Sequence, residues 1–171
     1  MKKYVKWILV VLTVVVMAFI FVMSSQNASD STGESRGIGM IIGQILWRDF
    51  DEWDPADQLD FVKNIDGTVR QLGHFIEFAL LGTFFNLALS AWGVKPNKAL
   101  AASIGFGVFY ALTDEFHQWF VDGRTPQVGD LLIDAAGTAF GCLVVWIILT
   151  SVASRRAKKE LADLSASGTG K

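Results

Sequence analysis

Apolar residues fall into four long runs, separated by shorter polar stretches. A run of about 18 or more apolar residues is long enough to cross the hydrocarbon core of a bilayer as one helix. The first run carries no charge, whereas each of the other three contains or adjoins acidic residues. The pattern predicts an all-α integral membrane four-helix bundle. Its spans are expected at about residues 5–23, 71–92, 99–120 and 131–151.

Basic residues are distributed unevenly about the predicted spans, and their excess marks the cytoplasmic side of a membrane. They precede the first span, separate the second from the third and follow the fourth: Lys2, Lys3, Lys6, Lys95, Lys98, Arg155, Arg156, Lys158 and Lys159. The intervening segments, 24–70 and 121–130, are acid-rich. Both termini are therefore expected in the cytoplasm. A cleaved signal peptide is less favoured for the first run, because its apolar core is long and no small-residue cleavage site follows.

The outer segment before the second span has two parts of different composition. Residues 24–36 are rich in Ser, Asn, Asp and Gly and predict an irregular loop. Apolar residues then recur at helical spacing, namely Ile38, Ile41, Ile42, Ile45 and Leu46. They predict an amphipathic helix that lies in the outer interface or caps the bundle and ends at Asp54-Pro55. A second short helix, marked by Leu59, Val62 and Val69, is expected to lead into the second span.

The membrane domain is expected to cover residues 1–153. Residues 154–171 then form a polar cytoplasmic tail, which is expected to be irregular after Lys159. Within the spans, Asn86 is expected to make an interhelical hydrogen bond, and the single cysteine, Cys142, to be a small core residue.

Ionisable residues lie within three of the predicted spans, where their cost usually forces them to face the protein interior. They are His74 and Glu77 in the second span, Asp114, Glu115 and His117 in the third, and Asp130 and Asp134 at the start of the fourth. The neutral Gln118 accompanies those of the third span. The helical rise places Glu77, Asp114 and Asp134 roughly 6–10 Å inside the outer boundary. Gly137 and Gly141 share the face of Asp134 in a GxxxG pattern, which allows close helix approach. We therefore expect one outward-facing polar pocket.

The pocket has five acids, two histidines and a glutamine, with Arg70 and Arg124 at its mouth. Five carboxylates require protons, paired cations or a metal ion for compensation. A divalent metal held by His-x-x-Glu and Glu-x-His is one alternative, although Glu115 and His117 point about 200° apart on an ideal helix. Otherwise no cofactor is indicated. Nucleic acid is not an expected partner, because no basic stripe with interleaved aromatics occurs.

Three functions remain open at this point. A binding site would use Arg70, Glu115, Gln118, Arg124, Asp130 and Asp134 against an anionic ligand. A membrane enzyme acting on an anionic lipid or lipid-linked phosphate would use His74, Glu77, Asp114 and His117 as catalytic candidates. The third alternative is a polar network that only holds a membrane scaffold together.

Four stretches resemble the VanZ-like family: residues 24–26 (SSQ), 69–78 (VRQLGHFIEF), 113–126 (TDEFHQWFVDGRTP) and 129–137 (GDLLIDAAG). The family is named for a protein that confers low-level resistance to teicoplanin, a lipoglycopeptide that binds cell-wall precursors outside the membrane. The resemblance implies a multi-pass protein of the bacterial plasma membrane. Its implied partners are membrane lipids and a lipid-linked envelope precursor or a lipoglycopeptide.

Overall fold

The computed structural model describes residues 3–125 and 127–168. These residues form helices joined by short turns and contain no strand. The elements are α1 (Lys3–Ser24), α2 (Ala28–Leu46), a 3₁₀ helix (Phe50–Glu52), α3 (Pro55–Ala91), α4 (Pro96–Gln118) and α5 (Val128–Gly168). Lys2, Pro126 and the end of the predicted tail, 169–171, lie outside the described residues.

Three helices of the described chain are long and apolar enough to cross a membrane, and these are the segments Tyr4–Ser24, Pro55–Ala91 and Val128–Leu164. α4 has 23 residues but carries Asp114 and Glu115 near its end. The expectation of an all-helical membrane protein is therefore confirmed. The four-span topology and the cytoplasmic placement of both termini stay predictions.

α3 lies at the centre of the fold and contacts the four other α-helices, α5 most extensively. The predicted GxxxG pattern forms this contact. A Cβ atom on Gly137 or Gly141 would lie far inside van der Waals contact with the carbonyl oxygen of Phe75 or Ala79, respectively. Asn86 of α3 donates from Nδ2 to the carbonyl oxygen of the buried Cys142, 3.4 Å away, as the interhelical hydrogen bond that was expected.

The irregular loop predicted for residues 24–36 is wrong over most of its length, because α2 begins at Ala28. The Asn27 side chain accepts a hydrogen bond from the backbone N–H of Asp30 and caps the helix. The buried stripe consists of small residues at every fourth position: Ser31, Ser35, Gly39 and Gly43. The predicted apolar face is largely exposed instead, with Ile45 76% accessible. α2 thus packs through its small residues and presents isoleucines outward.

Two other predicted boundaries also change. The separate short helix before the second span does not exist, because α3 runs without interruption for 37 residues from Pro55. Asp54 caps this helix by accepting from the Ala56 N–H, and Pro55 occupies its first turn, where no N–H partner is needed. At the other end, α5 continues to Gly168, so the tail is helical rather than irregular over its described residues.

Candidate polar site between three helices

Three of the predicted polar residues meet at one point between α3, α4 and α5. His74, Asp114 and Asp134 each offer a nitrogen or oxygen atom within 4.8 Å of the others. The shortest measured approach joins His74 Nδ1 to Asp134 Oδ1, at 3.4 Å. We call these three residues the His-Asp-Asp cluster. It brings together ionisable groups from three helices, as the depth argument predicted.

Asp114 is held in place by neighbours on two helices. The Gln118 Nε2 amide, one turn later on α4, donates to Asp114 Oδ2 at 3.1 Å. The same amide donates to the hydroxyl of Ser24 at the end of α1, at 3.0 Å. Gln118 and Ser24 are each 2% exposed. The carboxylate of Asp114 is therefore fixed by a buried hydrogen-bond network rather than by solvent.

Asp134 is the least satisfied member of the cluster. Its side chain is fully buried, and neither carboxylate oxygen has a hydrogen-bond partner among the described residues. His74 Nδ1, which faces it, is also buried without a partner that meets hydrogen-bond geometry. Buried polar groups of folded proteins nearly always have partners, and a buried carboxylate is among the costliest exceptions.

A cavity of about 120 Å³ adjoins the cluster on the side of α2. His74 and Glu77 contribute to its wall from α3, and Arg70 and Arg124 contribute the two guanidinium groups. Gln26, Ser31, Glu34 and Ser35 complete its polar lining. Asp114 and Asp134 do not belong to the lining, so His74 is the member of the cluster that borders the cavity.

Arg124 is positioned by the turn between α4 and α5. Gly123 adopts φ 73°, a left-handed conformation that glycine accepts without strain. Arg124 Nε then donates to the backbone carbonyl of Gln26, 3.3 Å away. Burial, and after it the positive charge of Arg70, lower the pKa of Arg124. Within the described chain, neither arginine has a carboxylate within the 4.0 Å that defines an ion pair.

Three predicted site residues lie away from the cluster. His117 stacks on Phe21 of α1, and its Nε2 is 3.0 Å from the hydroxyl of Ser25. Glu115 points toward the start of α5, where its Oε2 accepts from the backbone N–H of Gln127 at 2.9 Å. Asp130 lies in the first turn of α5, half-buried. The expected divergence of Glu115 and His117 is thus observed, and the two do not meet at one ion.

Several residues of the site were not predicted. Ser24 accepts a hydrogen bond from Gln118, and the hydroxyl of Ser25 contacts His117. Gln26 Nε2 donates to Glu34 Oε1 at 2.8 Å. Ser35 donates to Asp66, which ties α2 to α3 beside the cavity. The signal for the first group was present in the Ser-Ser-Gln stretch, whose place directly after an apolar helix fixes its depth.

The helices and the cluster define a class: a helical membrane protein with ionisable residues gathered between its helices. The family model described as VanZ/LLP1 matches residues 9–149. The chain therefore belongs to the VanZ-like family, as the resemblance of its motifs indicated. Among curated proteins no match was found. The solved structures also gave no match.

Proposed function

We propose that the cavity beside the His-Asp-Asp cluster binds the anionic headgroup of a membrane lipid or of a lipid-linked envelope component. The observation that carries this proposal is the pair of arginines. Arg70 and Arg124 line one cavity, lie close enough to repel each other and have no carboxylate partner among the described residues. Two guanidinium groups that line one cavity without a direct carboxylate contact can both donate hydrogen bonds to a phosphate or carboxylate, although Glu34 and Glu77 also border the cavity.

The proposal includes a four-span topology in a bacterial plasma membrane with both termini in the cytoplasm, in which the cavity would lie at the outer leaflet. α4 is the span that composition leaves in doubt, because its acids lower its mean hydropathy. Asp114 and Glu115 are only 4% and 7% exposed, however, so they face protein rather than lipid. The outward face of α4 is apolar, with Phe109 64% exposed. Its 23 residues span roughly 35 Å, which exceeds the hydrocarbon thickness.

Catalysis on a lipid phosphate is the second candidate, and one observation favours it. His74 and Asp134 lie 3.4 Å apart, and His74 also borders the cavity. In this scheme His74 acts as base or nucleophile, Asp134 orients its imidazole, and the arginines hold the phosphate. His117 drops out of the scheme, because its ring contacts α1. Purified protein that leaves every envelope phospholipid and polyprenyl phosphate unchanged, with and without divalent metal, would exclude catalysis on these lipids.

Lipid binding is tested on purified protein in detergent with Arg124→Gln. The matched control is Arg48→Gln, which removes an exposed arginine of the outer segment that does not line the cavity. Short-chain phosphatidylglycerol, a polyprenyl phosphate and phosphatidylcholine serve as ligands, with native mass spectrometry as the readout. Because a charge-assisted hydrogen bond contributes about 1.5–3 kcal/mol, Arg124→Gln is expected to weaken binding by roughly tenfold or more.

The control should bind as the wild type does, and phosphatidylcholine should bind weakly throughout. Equal affinity of wild type and Arg124→Gln for both anionic lipids would contradict the proposal. The lipid that loses most affinity identifies the source of the headgroup. A link to teicoplanin is tested separately, by comparing resistance in cells that express wild type or Arg124→Ala at equal levels; equal resistance excludes that link.

A further inference from the structure

We infer that the His-Asp-Asp cluster is a binding site for a divalent transition-metal ion, held by His74 of α3, Asp114 of α4 and Asp134 of α5. The inference rests on the geometry and burial of these three side chains. It does not depend on the identity of the ligand in the neighbouring cavity.

The spacing of the donor atoms matches a metal site. Two ligand atoms at about 2.1 Å from a tetrahedral ion lie about 3.4 Å apart. His74 Nδ1 and Asp134 Oδ1 are separated by 3.4 Å. The third donor, from Asp114, lies within 4.8 Å of the other two. Three helices thus supply one donor each to a common centre.

The burial of Asp134 provides an independent observation. Both oxygens are fully enclosed and have no hydrogen-bond partner among the described residues. A carboxylate at this depth is costly unless cations or hydrogen-bond donors compensate its charge, and the facing His74 does so only when its imidazole is protonated. A divalent cation between Asp134 and Asp114 removes that cost and explains why two acids are kept so close together.

The surroundings of Asp114 have the form expected around a metal ligand. Residues that contact a metal ligand usually hold it by hydrogen bonds and fix its orientation. Gln118 Nε2 donates to Asp114 Oδ2 and is itself held by Ser24. The donor that faces Asp134 among the described residues is His74 Nδ1, 3.4 Å from Oδ1, and this contact does not meet hydrogen-bond geometry.

The donor chemistry limits the choice of metal. One imidazole and two carboxylates favour Zn²⁺, Mn²⁺ or Fe²⁺, whereas Mg²⁺ and Ca²⁺ prefer all-oxygen sites. Cys142 does not belong to the cluster, so no sulfur ligand is expected. Three protein ligands leave at least one coordination position open. Glu77 borders the adjoining cavity and is the nearest further acid on the face of His74.

The test uses tag-free, metal-depleted full-length protein in detergent, titrated with ZnCl₂ or MnCl₂ and followed by calorimetry and thermal unfolding. Metal content is measured after dialysis. We expect one tightly bound ion per chain and a higher melting temperature with metal. Because loss even of a residue that supports a metal ligand typically costs 10–100-fold in affinity, Asp134→Asn should weaken binding by at least about tenfold.

His117→Gln is the matched control, because it removes the other histidine while leaving the cluster intact, and it should bind as the wild type does. His74→Gln provides a second cluster variant should Asp134→Asn fail to fold. X-ray absorption at the zinc edge should show nitrogen and oxygen ligands without sulfur. Wild-type protein that binds no stoichiometric ion, or equal loss in His117→Gln and the cluster variants, would overturn the inference. Stoichiometric metal binding that leaves lipid affinity unchanged would still support the inference, because the metal site does not depend on the ligand of the cavity.

Discussion

Gln118 is the side chain that connects the polar cluster to the first helix. Its amide donates to Asp114 and to Ser24, so one residue satisfies groups on α4 and α1. Both acceptors are buried. The amide therefore stabilises the packing of α1 against the site in addition to orienting Asp114.

We expect Gln118→Leu to lower the free energy of unfolding by about 1–3 kcal/mol, because the shape is nearly kept while two hydrogen bonds are lost. Thermal unfolding in detergent measures the change. Gln71→Leu alters an exposed glutamine of α3 and should leave the melting temperature unchanged. Similar melting temperatures for Gln118→Leu and wild type would show that the Gln118 hydrogen bonds do not stabilise the bundle.

Helical periodicity predicted one pocket that holds five acids and both histidines, but only Asp114, Asp134 and His74 meet in the cluster. His117 follows Asp114 by three positions, so its direction differs from that of Asp114 by about 60° on an ideal helix. That offset is enough to turn the ring toward α1, where it stacks on Phe21 and contacts the hydroxyl of Ser25. Which of two neighbouring helices fills the gap depends on packing, and one sequence does not contain that information.

Helix contacts in this protein are made by small residues, and this explains both a success and an error of the sequence analysis. On α5 the glycines of the GxxxG pattern lie against α3, as predicted. On α2, Ser35 and Gly39 also lie against α3 and Gly43 lies against Phe50, but the isoleucine spacing suggested the opposite face. Rules for soluble helices place apolar residues inside, whereas a helix at a lipid surface gains by exposing them.

Gly141→Ala is expected to destabilise the bundle by roughly 1–3 kcal/mol, the usual cost of forcing a methyl group into a filled contact. The new Cβ would meet the backbone oxygen of Ala79 and the hydroxyl of Thr83, which cannot both move away. The melting temperature in detergent should fall.

Gly105→Ala is the control for this substitution. It adds the same methyl group in the middle of α4, where nothing lies within 4 Å. Its melting temperature should be equal to or above that of wild type, since alanine favours helix. Equal stability of Gly141→Ala and Gly105→Ala would disprove close packing of α3 on α5.

The protein as a whole follows the hydropathy of its sequence except where charge is buried. Three helices are apolar enough to cross a membrane, whereas α4 falls short because Asp114 and Glu115 count as polar although they face the interior. The uninterrupted length of α3 was not predicted either, because its first turns are polar and precede the apolar run. Composition therefore predicted the class and most helices, whereas helix ends and the cavity required the packed structure.

Binding of a lipid-linked envelope component depends on the cavity facing the outside of the cell, and accessibility of single cysteines tests this directly. In a Cys142→Ser background, Asp122→Cys places a thiol in the exposed turn next to Arg124, and Lys98→Cys places one at the opposite end of α4. A membrane-impermeant maleimide should label the cysteine at position 122 in intact cells and that at position 98 only after permeabilisation. Labelling at position 98 but not at 122 in intact cells would place the cavity in the cytoplasm and contradict the account.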